Sequence, residues 1–198
     1  MTSSTSTPGS PLLEYYRGTG TDHAGRHLDD VLAWDNEALE HVHDYIQWLF
    51  PNRAPSRANA AAPLLTADDI TAFLADPGLR RTLLCAFERM LRFYGFRRVA
   101  PPEGGVTRAS PSDIVRHGIA IVPAEDWEER ARIWLSAYNH NHLRLTRIMK
   151  CLAALGREED ALALQRVLLA LTEGPYQRSI ARNTARYWRE ALNDGPQK

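Results

Sequence analysis

The sequence predicts an all-α protein: a single compact, bundle-like domain of about seven helices, with an irregular segment near 96–123. Three observations predict it. Apolar residues recur at steps of three and four through most of the chain, which is the period of an amphipathic helix. Capping residues and Pro or Gly stops bracket those runs. No pair of alternating segments emerges that would build a sheet. A length of 198 residues is enough for one domain with a sizeable core.

Residues 1–11 are almost all Ser, Thr, Pro and Gly and read as a disordered arm. The domain is expected over 12–193, with 194–198 as a flexible tail. Leu12 to Arg17 begins the fold, Gly18 to Asp22 reads as loop, and Arg26 to Trp34 as a short helix. Asp35 or Asn36 caps a helix that runs to Phe50 and stops at Pro51. A Pro/Ala-rich loop follows. Thr66 with Asp69 makes a capping-box-like start for Ala67 to Ala75, and Asp76-Pro77 restarts the next helix. Leu79, Leu83, Leu84, Phe87, Met90, Leu91 and Tyr94 then form one apolar face, with Gly95 as C-cap. The chain becomes irregular from Phe96 to Pro123, with a short extended piece at Ile119 to Val122. Ala124–Ala137 is helical. The next helix starts within Asn139-His140-Asn141-His142 and ends at Leu155 before Gly156. Two more cover Arg157–Thr172 and Tyr176–Leu192.

Lys+Arg and Asp+Glu number 24 each. That balance exerts no global pull on nucleic acid or anionic membrane and counts against nucleic acid as a partner, although local basic patches remain open. Nearly all the cations are Arg, with Lys only at 150 and 198, a bias expected of GC-rich bacterial coding. Cys85 and Cys151 lie in apolar helical runs and read as two buried thiols rather than a disulfide framework. The N-terminus has no secretory pattern and no run is long enough to span a membrane, so a cytoplasmic protein is expected. No phosphate-binding glycine loop, nucleophile elbow or C-x-x-C is present.

The run His41 to Pro51, HVHDYIQWLFP, holds His-x-His, a spacing used by metal sites. On a helix, however, His41 and His43 point about 200° apart and cannot share one ion. Leu39, His43, Ile46 and Phe50 instead make an inward stripe, which reads His43 as a buried or half-buried histidine satisfied by a polar partner. His140 and His142 sit at a helix start, where Asn139 or Asn141 caps free N–H groups. Arg144, Arg147 and Lys150 follow as a basic strip suited to an anion, or as a solvated face. The doublet His43-Asp44 in a helical chain also fits a metal-dependent phosphohydrolase, with His23, His27, His140 and His142 to supply further histidines, but a clear partner Asp is missing.

LEHVHDYIQWLFPNRAP resembles the N-terminal domain of the opioid growth factor receptor family, on His43-Asp44-Tyr45-Ile46-Gln47-Trp48-Leu49-Phe50-Pro51 above all. LCAFERMLRFYG (Leu84 to Gly95) and HNHLRLTRIMKCL (His140 to Leu152) follow in the family's order, and Leu64 to Phe73 resembles its linker and short helix. The resemblance covers Leu13 to Leu192 and is weak between Arg97 and Glu125. The repeat-rich tail of the vertebrate receptors has no counterpart in these residues. The resemblance implies a helical domain. It also implies that vertebrate members bind the pentapeptide methionine-enkephalin, restrain proliferation and associate with the nucleus. It supplies no catalytic residues.

The expectation is therefore a non-enzymatic domain that binds a peptide or small-molecule ligand, anionic in one form, with no cofactor and no metal. Its candidate surface combines His43, Asp44, Tyr45 and Trp48 with His140, Asn141, Arg144 and Arg147. An aromatic floor beside arginines suits a short peptide with a free carboxylate.

Overall fold

The computed structural model describes residues 9–56, 59–100 and 118–193. Most of the predicted arm and all of the predicted tail, with 57–58 and 101–117 of the irregular stretches, lie outside them. The chain packs as two compact units, Met1–Leu83 and Leu84–Lys198.

The first unit holds α1 (Pro11–Tyr16), α2 (Leu28–Ala33), α3 (Asn36–His41), α4 (Ile46–Leu49), α5 (Ala67–Ala75) and the start of α6 (Pro77–Tyr94). Its core comprises Leu12, Tyr15, Tyr16, Val31, Leu39, Tyr45, Leu49, Phe50, Phe73 and Leu83. The predicted caps form. Asp35 accepts the Ala38 N–H at 2.8 Å. Thr66 accepts from the Asp69 N–H at 3.1 Å, while the Asp69 carboxylate accepts from the Thr66 N–H at 3.0 Å, closing a capping box with Asp in the place of Glu.

One expected helix, 36–50, is two. Val42 is extended (φ −84°, ψ 132°), and the chain regains helical form only at Ile46. In an unbroken helix the Leu39 carbonyl would accept the N–H of His43. Here the Tyr45 hydroxyl donates to that carbonyl at 3.0 Å. A buried tyrosine thus satisfies the carbonyl and lets the backbone turn.

The second unit carries the end of α6, a two-stranded antiparallel sheet, and α7 (Trp127–Trp134), α8 (Asn141–Ala154), α9 (Glu158–Leu171), a 3-10 turn (Gln177–Ser179) and α10 (Arg182–Glu190). The sheet pairs β1 (Phe96–Val99) with β2 (Ala120–Pro123), in the register Phe96 to Pro123 and Val99 to Ala120. The fold is thus mainly α: ten α-helices and one small sheet among the described residues, against the expected seven helices and no sheet. The extended piece foreseen near 119–122 is β2. Its partner was hidden because a four-residue strand, Phe-Arg-Arg-Val, carries too little alternation to separate from loop.

α8 packs along α9, and α10 lies on both. Phe96, Trp127 and Trp134 stack with centroids 4.7 to 6.0 Å apart. The Trp134 indole N–H donates to the Tyr94 carbonyl at 3.0 Å. Gly95 turns the chain from α6 into β1 with φ +81°, and its Cα lies so close to α7 that a Cβ would sit 2.8 Å from Arg130 Cβ. Cys151 is buried as expected, and burial pushes its thiol pKa up. Cys85, expected inside, is exposed, because it falls on the outer side of α6.

Candidate functional site

In the first unit, the break between α3 and α4 places the signature residues differently from a continuous helix. His43 is exposed, which corrects the inward stripe: Leu39, Ile46 and Phe50 are buried, but the kink turns His43 out. His41 is also exposed, and one ring nitrogen lies 2.9 Å from the Glu37 carbonyl. Tyr45 is fully buried and packs edge-on to Trp34 at 5.5 Å. Asp44 sits on the turn, and its backbone carbonyl accepts from Asn59 at 3.0 Å.

The Asp44 carboxylate, 41% exposed, meets Arg26 at 3.0 Å and His23 at 3.1 Å. Burial would raise its pKa, but the Arg26 hydrogen bond and the neighbouring charges bring it below the ordinary carboxylate range. Arg26 also donates to Asp22 at 2.6 Å and lies over the Trp34 ring at 5.4 Å. Burial disfavours this guanidinium, yet the two carboxylates hold its pKa above the usual value. His23 stacks on Trp48, with centroids 6.2 Å apart and planes 12° from parallel, and Tyr15 meets Trp48 edge-on at 5.4 Å.

Within this group, three buried polar atoms have no hydrogen-bond partner among the described residues: Tyr15 hydroxyl, Arg26 Nη2 and Trp48 Nε1. Gln47 Oε1, Asp69 Oδ1, His140 Nε2 and Arg157 Nε share that property. Most buried polar groups are paired, and such atoms can take a water or a ligand group as partner. Burial first, then the Asp22 charge, raise the Tyr15 pKa, so its hydroxyl is a neutral donor. Tyr15, Asp22 and Arg26 are the residues that sequence reasoning missed, and His23 enters it only as a further histidine for the metal alternative. Their only signal was Asp22-His23-x-x-Arg26 in a loop, and loops have no period from which pairing can be read.

In the second unit, the NHNH run opens α8. The Asn139 side chain accepts the Asn141 N–H at 2.9 Å, as the capping reading expected. His140 is half-buried and Asn141 fully buried. His142 is 3% exposed, between Trp134 and Trp188 with ring centroids at 6.3 and 5.4 Å. Its Nε2 lies 3.0 Å from the Trp134 carbonyl and so carries the proton, which leaves Nδ1 to accept from Thr184 at 3.4 Å. Burial lowers its pKa, favouring this neutral form.

The basic strip is corrected in part. Arg144 is 5% exposed and donates to Asn141 Oδ1 at 3.3 Å, and that oxygen also meets the Tyr94 hydroxyl at 3.4 Å. Arg147 and Lys150 are half-buried, and burial lowers the Arg147 pKa. None of the three is a freely solvated cation. The α8 pattern has the right period, but the apolar sector is wider than the sequence suggests and takes Arg144 in.

Among the described residues no group of three or more His, Cys, Asp or Glu could hold a metal ion. Asp44 is engaged by Arg26 and His23, and the phosphohydrolase alternative finds no support. No helix among the described residues is long and apolar enough to cross a membrane.

Residues 13–195 match the family model described as the opioid growth factor receptor (OGFr) conserved region. The chain belongs to the opioid growth factor receptor family. It is 37% identical to the rat opioid growth factor receptor over 151 residues, covering 75% of this chain and 23% of that protein. It is 36% identical to the mouse opioid growth factor receptor-like protein 1 over 148 residues, covering 73% of this chain and 28% of the relative. To the human opioid growth factor receptor it is 36% identical over 151 residues, 75% of this chain and 20% of that protein. The chain thus spans 20% to 28% of the length of these relatives. No solved structure matches it. Both signature runs, 43–51 and 140–152, fall inside the matched region and surround the two polar clusters.

Proposed function

We propose that this opioid growth factor receptor domain is a non-enzymatic binding module that recognises a short peptide or a small ligand. The observation that carries the reading is the cluster beneath Asp44. A buried indole N–H and a buried phenol lack partners, beside an Arg26–Asp44–His23 group whose carboxylate reaches solvent. Such a site joins apolar ring area to a few fixed donors and one charge pair, the usual composition of a ligand site. His43 and Asp44 supply its exposed edge, and Trp48, with Tyr45 packed in the core nearby, its aromatic floor. His140 and Arg147, both half-buried, offer the second candidate surface, with the buried Asn141–Arg144 pair as its support. The relatives' names add that longer family members are called receptors for an opioid growth factor.

The test is a titration of methionine-enkephalin into 15N-labelled protein, followed through the five tryptophan indole signals. The Trp48 indole resonance, assigned with Trp48→Phe, shifts progressively as the peptide is added. No indole movement up to about 1 mM peptide, the concentration that would reveal even a weak −4 kcal/mol interaction, removes the peptide reading.

A further inference from the structure

α10 is a second, separate surface. Arg182, Arg186 and Arg189 lie four and three residues apart, within about 60° of one another around the helix. All three are exposed, as is Arg178 in the turn that precedes them. The opposite side of the helix is packed: Trp188 and Ala191 are buried, and Thr184 reaches His142. The side chains of Arg178, Arg182, Arg186 and Arg189 make no ion pair or hydrogen bond with any described residue, and Glu190 is the only carboxylate within 178–190. Tyr187, 45% exposed, lies about 100° around the helix from Arg186, and the Arg186 guanidinium reaches to 5.6 Å from its ring centre.

We propose that this face binds single-stranded nucleic acid, the arginines taking the phosphates and Tyr187 stacking on a base. Electrostatic attraction needs a concentrated patch, and a chain of zero net charge can carry one. The ridge rises about 10 Å from Arg182 to Arg189, roughly three nucleotides of a stacked strand. Other polyanions fit less well. A membrane surface is bound by a helix with a free apolar face, and the apolar side of α10 is already used for packing. An acidic peptide satisfies arginines but has no use for the exposed Tyr187 ring, whereas any base has a π-face to lay on it.

The experiment is fluorescence anisotropy of labelled dT20 and rU20 with the intact protein across a salt series. The wild type binds at about 50 mM salt and weakens steeply by about 200 mM. The combined variant Arg182→Gln, Arg186→Gln, Arg189→Gln loses at least about tenfold in affinity, and its log–log salt slope falls by about 2, since each single-strand phosphate contact contributes about 0.7. Tyr187→Ala costs roughly tenfold, as stacking contacts do. Circular dichroism melting confirms that the variants fold. The wild-type salt slope tests the proposal without any variant. Absence of binding, a triple variant that binds like wild type, no effect of Tyr187→Ala, or equally effective competition by poly-glutamate or phosphatidylserine vesicles overturns it.

Discussion

His142 is a histidine whose environment selects one protonation state. It lies between two indoles, donates a hydrogen bond from Nε2–H to the Trp134 carbonyl, and accepts one at Nδ1 from the Thr184 hydroxyl. Burial puts its folded-state pKa below the unfolded value of about 6.5. Between those two values the unfolded chain binds the extra proton and the folded chain does not. The stabilisation is therefore complete above about pH 6.5 and is lost as pH falls through the folded pKa, at no more than about 1.4 kcal/mol per pH unit. Urea unfolding at pH 7.5, 6.5 and 5.5 reads this directly, with His142→Gln showing a flatter profile. Identical pH profiles for the two proteins would contradict it. The capping at Asn139 follows from the sequence as one of two options, whereas the burial of His142 does not, because at a helix start the local pattern does not show which side chains face the core. Asp44 as the partner of Arg26 and His23 does not, because those residues come from a loop 18 and more positions away.

The elements that sequence periodicity locates well are α5, α6, α8 and α9, each long enough to show a 3.6-residue repeat, with a capping box opening α5. It fails where one side chain overrides the local pattern, as Tyr45 does between α3 and α4 by occupying the Leu39 carbonyl. It also fails where an element is too short, as for β1. Two joints carry sharp consequences. Gly95→Ala places a Cβ against Arg130 and Trp127 at a φ that L-residues avoid, so a loss of about 2 kcal/mol or more is expected in chemical denaturation. A variant as stable as wild type would mean that β1 and α7 are not held this closely. Asp160, 1% exposed on α9, holds Arg98 of β1 and Arg157, each at 2.6 Å. Asp160→Ala leaves two largely buried guanidiniums without their shared carboxylate and should cost about 3–5 kcal/mol. A loss under about 1 kcal/mol would show that solvent already screens the pair.

Across the whole molecule, membership of the opioid growth factor receptor family was legible in the sequence because its signature runs are dense in large aromatic and amide side chains, in a fixed order. The ligand was not legible, because residues of the proposed surface such as Tyr15, His23 and Arg26 lie outside the signatures. The central claim is that the Arg26–Asp44–His23 cluster over Trp48 belongs to a ligand-binding surface. Its most direct test is calorimetric titration of methionine-enkephalin into the wild-type protein and into Asp44→Asn, each first shown to be folded by its melting transition. The account predicts saturable binding to the wild type and an affinity at least about tenfold weaker, some 1.4 kcal/mol, for the variant. Equal affinities in two folded proteins would contradict it.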